Sequence, residues 1–292
     1  MNLLSKLPGP LLIFLGALSL SFGGLIVKSF EGATLWQILF WRSLFFTLTV
    51  FAFLMIAYKK KTFNSFRESG LPGFIGGIVL SFGFCGYVFA MYNTTVANTN
   101  FIISLQILFL AIFGYFFLKE KINAITLTSI ILAMTGVLVM VGNSLTPGEL
   151  SGNLAAFTMP VTFAVLIMII RKYPTVDMVP SQFVAGVSSC LIGFLLSTKV
   201  MISPHDIFLG FLAGFFQVGF GFIFITIGAR TTPSAMVGII MLSESVLGPI
   251  WAFLFVSERP SIFGLIGGAI ILTAVLLQFY SLLNKNKKSV SN

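Results

Sequence analysis

Charged side chains are scarce in this chain of 292 residues: only 9% are Asp, Glu, Lys or Arg. Soluble globular domains carry about 25% of such residues, so this sequence has too few polar side chains to cover a soluble particle of its mass. Histidine occurs once and cysteine twice. Because Cys85 and Cys190 each lie within an apolar run, we expect two small packing residues and not a disulfide framework.

Apolar residues fill the space that the missing charges leave, at 57% of the chain with 34 Phe. A helix that crosses a bilayer takes about 20 apolar residues, and apolar runs bounded by charges, Pro or Gly recur along the whole sequence. We therefore predict an all-α integral membrane protein with ten transmembrane helices. They are expected near residues 8–28, 34–57, 72–92, 95–118, 124–143, 152–170, 179–198, 206–228, 232–256 and 260–283.

Lys and Arg are distributed unevenly between the alternate loops of this arrangement. Thirteen fall on one side and three on the other, and the seventeenth, Arg42, lies inside the second predicted helix. Cytoplasmic loops carry an excess of Lys and Arg, so we expect both termini in the cytoplasm and a multi-pass protein of the cell (inner or plasma) membrane. The net charge of +9 then reflects topology, and nucleic acid is not an expected partner.

The second half of the sequence repeats the first with a shift of 138 residues. Residues 94–138 align without a gap over residues 232–276, and the match of Glu120 to Glu258 is informative because the chain has only eight acidic residues. Five helices per half is an odd number, so the halves would enter the membrane from opposite sides, as in many secondary transporters. We predict two inverted five-helix repeats, residues 1–143 and 152–288, around a central cavity.

Two segments carry a resemblance to a known family. Residues 113–120 read FGYFFLKE and residues 251–258 read WAFLFVSE, so the fourth helix of each half ends in an aromatic-rich run and a Glu. A Gly-containing fifth helix follows each, and Arg42 lies in the second helix within FWRS. This pattern resembles the drug/metabolite transporter superfamily, as two EamA-type permease repeats. The resemblance implies a ten-helix bundle that moves metabolites, commonly amino acids or related small organic solutes.

Two charges, Glu244 and Arg42, are predicted within the hydrocarbon, where each costs about 2.5–3.5 kcal/mol. Glu244 lies roughly 16 Å into the ninth helix at 1.5 Å per residue, and the repeat places it on Gln106. We expect Glu244 to bind a cationic group or carry a proton; the alternative is a structural Glu that is protonated or paired with Arg. For Arg42, recognition of a substrate carboxylate or phosphate and structural pairing with Glu244 or backbone carbonyls are equally open.

Other polar and aromatic side chains along the predicted helices complete the candidate substrate site. They are Gln106, Tyr87, Gln217, Trp41, Gln37, Ser243 and Asn98. Helix capping accounts for Asn98 about as well as a cavity does, and Trp near a membrane interface is common in any spanning helix. We expect no catalytic residue, metal or cofactor.

The function that these features favour is secondary transport of amino acids or related zwitterionic or cationic solutes by alternating access, with proton coupling through Glu244 as one option. An intramembrane enzyme acting on lipid is less well supported, because the single His205 lies in a loop beside Asp206, where a helix start explains both. A channel is the third class, and it differs in showing neither saturation nor counterflow. The expected partners are the solute, protons and the lipid bilayer, and the expected state is a monomer.

Overall fold

A computed structural model describes residues 7–93, 96–141, 150–256 and 262–290 of the chain. These residues are helical almost throughout and contain no β-strand; Lys59–Lys61 form a 3-10 turn and Leu212–Phe220 a π-helical segment. The α-helices are α1 Gly9–Leu20, α2 Gly23–Lys28, α3 Leu35–Tyr58, α4 Thr62–Asn93, α5 Val96–Ser104, α6 Gln106–Leu118, α7 Ala124–Val141, α8 Leu150–Ala156, α9 Thr158–Lys172, α10 Val179–Leu196, α11 Pro204–Phe211, α12 Gly221–Ala229, α13 Ser234–Met241, α14 Ser243–Val256 and α15 Ile262–Val290.

Large apolar side chains cover the outside of this bundle. Ile56 is 78% exposed and Phe117 is 72% exposed, and many other large apolar residues are similar. Among the described residues, seven helical stretches are long and apolar enough to cross a membrane. An apolar surface of this extent is unusual for a soluble monomer and suits a lipid environment. The protein is a multi-pass membrane protein.

Four of the predicted transmembrane helices are interrupted within their length. Phe22 separates α1 from α2, Leu105 separates α5 from α6, Phe157 separates α8 from α9, and Leu242 separates α13 from α14. Their ψ angles lie between −6° and −20°, whereas an α-helix has about −42°. The amides of Leu105, Phe157 and Leu242 bond to the carbonyl three residues back, as in a 3-10 helix. None of the four is Pro or Gly, although Gly23 directly follows the first break and Pro160, a candidate kink in the sequence, lies three residues after Phe157.

The longest helix, α4, begins ten residues before the apolar run predicted from residue 72. It starts at Thr62 and changes direction at Gly70, whose φ is 51°. Glycine adopts this left-handed conformation without a steric penalty. The apolar part of α4 then opens on Leu71 and Pro72, since Pro is tolerated in the first turn of a helix.

Helix packing follows the repeat seen in the sequence. Helix α1 packs on α12, which joins the first predicted helix to the eighth. Helix α4 packs on α9, which joins the third to the sixth. In the repeat the first helix corresponds to the sixth and the third to the eighth, so these two contacts are equivalent. In addition, α3 packs on α10, α6 on α13 and α7 on α15, so each of these contacts joins corresponding helices of the two halves. The halves are therefore interlocked through matched pairs of helices.

The centre of the bundle is an aromatic core that borders the candidate site. Phe46, Phe84, Phe163 and Phe222 are each at most 1% exposed. Phe84 and Phe222 meet edge to face with ring centres 5.1 Å apart, and Phe46 contacts both. This geometry is one that aromatic pairs prefer, and it provides a rigid base for the residues described next.

Candidate functional site

Arg42 lies inside the bundle on α3 and is only 4% exposed. Its guanidinium carbon is 5.1 Å from the centre of the Phe84 ring and 5.2 Å from that of Tyr87, positions in which the ring faces attract a cation. Within the described part of the chain, Nε and Nη1 of Arg42 are buried and have no hydrogen-bond partner. A buried donor without a partner costs about 1–3 kcal/mol, so an anionic ligand here would satisfy two donors that the protein leaves unbonded.

Glu244 is the second residue of α14 and follows the Leu242 break. Its side chain is half-buried and interacts electrostatically with Arg42. No ion pair of 4 Å or less joins Arg42 to Glu244, both of which the structure describes. The two ionisable side chains therefore interact without a direct bond between them.

The break between α1 and α2 lies beside these charges. A Cβ atom on Gly23 would lie 2.6 Å from Nε2 of Gln217 and 3.2 Å from the hydroxyl of Tyr87, so the backbone approaches both side chains here. Gln217 is 3% exposed and donates to the carbonyl of Leu20 at 3.4 Å. We refer to Gly23, Arg42, Phe84, Tyr87, Gln217 and Glu244 as the central cluster.

Trp251, which the sequence indicates only as part of a family motif, also belongs to this region. Its indole Nε1 donates to Oγ of Ser21 at 2.7 Å, and its ring stacks on Phe22 with centroids 4.6 Å apart. Glu244, Gly248 and Trp251 follow one another at spacings of four and three residues, which places them on one face of α14. That spacing was the available signal in the sequence. The bond from Trp251 to Ser21 and the approach of Gly248 to the Ser21 carbonyl show that this face meets the break in the first predicted helix.

Two further predicted site residues directly follow the breaks in the fourth and ninth predicted helices. Gln106 is 4% exposed and is the first residue of α6, while Ser243 is 1% exposed and is the first residue of α14. Oγ of Ser243 has no hydrogen-bond partner among the residues that the structure describes. Nearby, the hydroxyls of Ser104 and Ser245 lie 3.2 Å apart. This contact joins the two broken helices of the fourth and ninth predicted spans.

Gln37 and Trp41 instead bond at one end of the bundle. Nε2 of Gln37 donates to the carbonyl of Lys199 at 2.8 Å, and Nε1 of Trp41 donates to that of Val200 at 2.9 Å. These bonds attach α3 to the loop that follows α10, and none of them reaches the central cluster. The side chain of Asn98 lies outside the described residues. A role of these three residues in binding stays a prediction.

The single histidine lies at a helix start, where it was expected. Asp206, beside His205, accepts a hydrogen bond at Oδ1 from the amide of Glu31 at 2.9 Å, and its own amide donates to Oγ of Ser203 at 3.1 Å. These bonds cap α11 and tie it to the loop before α3. Among the described residues, no group of three or more His, Cys, Asp or Glu side chains could hold a metal ion.

A separate cavity of about 90 Å³ lies between α6, α7, α13 and α15. Its walls include Glu120, Asn123, Thr126, Met236 and Gln278, and no residue of the central cluster lines it. The cavity is near the end of the bundle where Glu120 follows α6. It is therefore not the central cavity that the sequence predicted between the two halves.

Broken helices in matched pairs around buried polar and charged side chains are typical of membrane transporters. The model of the EamA-like transporter family matches residues 7–142 and 146–280, and the chain belongs to this family. The resemblance found in the sequence is thereby confirmed. The family is one of transporters, which supports a transport function and is consistent with a chain that is not an enzyme.

Two relatives show how far the similarity extends. A protein of Methanothermobacter thermautotrophicus described only as an uncharacterized transporter is 28% identical over 207 residues, which cover 65% of this chain and 58% of that protein. The match thus spans less than two thirds of the length of that relative. A crystal structure whose description names no function has a TM-score of 0.79 and 18% identity, covering 92% of this chain and 96% of its own. At this identity the similarity concerns the fold alone.

Proposed function

We propose that this chain is a secondary transporter that moves amino acids or related zwitterionic or cationic solutes by alternating access. The observation that carries the proposal is the pair of unbonded guanidinium nitrogens of Arg42. A carboxylate of the solute accepts a charge-assisted hydrogen bond from this guanidinium, and Glu244 receives the ammonium group. The lack of a direct bond between Arg42 and Glu244 supports a site in which the solute completes the charge pairing.

We further propose ten transmembrane helices in two inverted units, residues 1–143 and 152–288. The apolar stretch Leu35–Asn93 has 59 residues and would extend roughly 90 Å as one helix, against about 30 Å for a bilayer core, which supports two crossings there. The seven apolar stretches then give eight crossings, and the shorter apolar helices Ala124–Val139 and Ser234–Gly248 supply the ninth and tenth.

The paired breaks support the inverted repeat. The break in the first predicted span falls on Phe22 and that in the sixth on Phe157, while Leu105 and Leu242 break the fourth and ninth. Both the residue type and the backbone geometry are shared within each pair. Transporters with inverted repeats commonly place such discontinuous helices at the substrate site.

In this arrangement both termini face the cytoplasm, the protein acts in the cell membrane, and a monomer is sufficient. A cysteine at Ser144 tests the orientation. In intact cells it should react with an impermeant maleimide from outside. Reaction only after permeabilisation would contradict the inverted arrangement.

The transport proposal is tested with purified protein in proteoliposomes. A thermal-shift screen against amino acids, amines and nucleosides selects a solute, and counterflow of that solute is then measured. Saturable uptake with counterflow identifies a transporter, whereas linear flux without counterflow identifies a channel and refutes the proposal.

The role of Glu244 is tested in the same vesicles with an imposed pH gradient. A bare carboxylate within the hydrocarbon is costly, so we propose that Glu244 binds a proton or the cationic group of the solute during the cycle. Glu244→Gln keeps the shape but cannot titrate, and it should abolish accumulation driven by the gradient while exchange persists. The exposed Glu68→Gln is the matched control. If Glu244→Gln responds to the gradient as the parent protein does, Glu244 is not the coupling residue.

A further inference from the structure

Glu120, at the end of α6, bonds the first half of the chain to the second. Its Oε1 accepts from Nε of Arg171 at 2.9 Å and lies 2.7 Å from Nη2 of the same residue. Its Oε2 accepts from the backbone amide of Ser234 at 2.8 Å. The side chains of Glu120 and Arg171 are only 16% and 20% exposed, so solvent screens this charge-assisted contact less than it would a surface pair.

Arg171 extends the contact to further elements of the second half. Its Nη1 donates to the carbonyl of Arg230 at 3.2 Å, and Nε of Arg230 donates to the carbonyl of Pro174 at 2.9 Å. One carboxylate of the first half therefore connects the end of α9, the end of α12 and the start of α13. Because Pro174 precedes α10 while Trp41 bonds to the loop after α10, this contact is at the end of the bundle opposite Trp41.

Beneath this contact, the same helices close the interior with apolar side chains. Leu110 on α6, Ile167 and Ile170 on α9, and Val237 on α13 have no exposed surface and belong to one core. Val237 lies one helical turn inward from Ser234. A solute that left the central cluster between these three helices would have to separate these side chains and break the bonds of Glu120.

We propose that Glu120, Arg171 and the amide of Ser234 form a lock between the two halves that holds this end of the transport path closed. Opening of this end requires Glu120 to release Arg171 and the start of α13. The proposal depends on the alternating access proposed above, in which the path opens at each end in turn.

A buried cysteine reports the opening without any need for the solute. Val237→Cys is made in a Cys85→Ser, Cys190→Ser background, and its reaction rate with a hydrophilic maleimide is measured in the purified protein. Glu120→Gln and Arg171→Gln each remove the ion pair, so either should raise the rate roughly tenfold, the scale of one charge-assisted hydrogen bond. The double variant should raise the rate by less than the product of the two single effects, because both variants remove the same ion pair. Glu68→Gln, an exposed carboxyl, should leave the rate unchanged.

Gly114→Ala is a second test that leaves both charges in place. Its Cβ would lie 2.9 Å from Oε2 of Glu120 and 3.1 Å from Cβ of Ser234, so it pushes the carboxylate away from the amide and should also raise the rate. If a Gln variant fails to fold, Arg171→Lys takes its place beside Gly114→Ala. Lys keeps the charge but lacks the planar guanidinium that contacts Glu120 and the Arg230 carbonyl together, so it should also raise the rate.

The outcomes separate this inference from the transport proposal. Unchanged labelling in folded Glu120→Gln, Arg171→Lys and Gly114→Ala overturns the lock, even if the parent protein shows counterflow. If the variants label faster but the parent protein shows no counterflow, the contact between the halves is upheld and the transport proposal is refuted.

Discussion

Replacing Arg42 by Met should separate its contribution to binding from its contribution to folding. Met matches the length of the apolar stem and removes the two buried nitrogens that lack partners, which relieves about 1–3 kcal/mol for each. The contacts of the guanidinium with Phe84 and Tyr87 are lost at about 0.5–2 kcal/mol each. Contacts of the Met sulfur with the same rings return about 0.3–1.5 kcal/mol each.

With mid-range values the balance favours the variant by roughly 3 kcal/mol, so Arg42→Met should be more stable than the parent protein. For a chain of this size, 1 kcal/mol corresponds to roughly 2–4 °C in Tm. The shift in Tm is measured by thermal unfolding in detergent, with a fluorescent dye that does not react with thiols. Transport by the same variant should be lost, because no cation remains to bind the anionic group of the solute.

Arg42→Lys completes this experiment because it keeps the charge but loses the planar fork. Losing one charge-assisted hydrogen bond costs about 1.5–3 kcal/mol, which corresponds to roughly 10- to 100-fold weaker apparent affinity. The exposed Arg67→Lys is the control, with no change expected. The reasoning is refuted if Arg42→Met lowers Tm by several degrees, since Arg42 would then be a structural anchor. It is equally refuted if Arg42→Lys transports with unaltered affinity.

Two other predictions concern a close approach and a buried carboxyl. Gly23→Ala should reduce transport with little change in Tm, because its Cβ would displace Nε2 of Gln217. Gly24→Ala, whose Cβ would have no atom within 4 Å, should leave transport unchanged. Equal transport rates for the two variants would contradict the placement of Gly23. Burial raises the pKa of Asp177, outweighing the hydrogen bond from the Val179 amide. The folded state thus holds this proton more tightly than the unfolded state, so this stabilisation is present at low pH and is lost as pH rises through the folded pKa. Asp177→Asn keeps the cap and should flatten that dependence in Tm measured from pH 4 to pH 8, whereas an unaltered slope would exclude Asp177 as its source.

Much of the membrane architecture was predictable from the sequence because each crossing needs a long apolar run. Arg42 and Glu244 were identifiable for the same reason: a charge inside such a run is conspicuous. The partner of Glu120 was not predictable, because Arg171 counted only as one of thirteen basic loop residues on its side. Its bond to Glu120 depends on the relative positions of α6 and α9, which helix periodicity does not specify.

The positions of the helix breaks were not predictable for a different reason. Phe22, Leu105, Phe157 and Leu242 are ordinary helix residues, and no Pro or Gly occupies the four positions. At two breaks the bonds come from elsewhere in the chain: Trp251 donates to Ser21 beside the first, and Ser104 contacts Ser245 between the fourth and ninth spans. Tertiary contacts of this kind override helix propensity, as is common for short irregular segments.

These contacts also determine which residues can reveal the function. A broken helix leaves carbonyls without their usual donors, and Gln217 donates to one of them at Leu20. A substitution of Gln217 therefore disturbs the backbone and the site together, and loss of transport would have two explanations. Arg42 differs, because its Nε and Nη1 bond to no other described residue. Replacing it deprives no backbone group of a partner through those atoms. Arg42 is consequently the position in the central cluster where a transport defect is most directly attributable to binding.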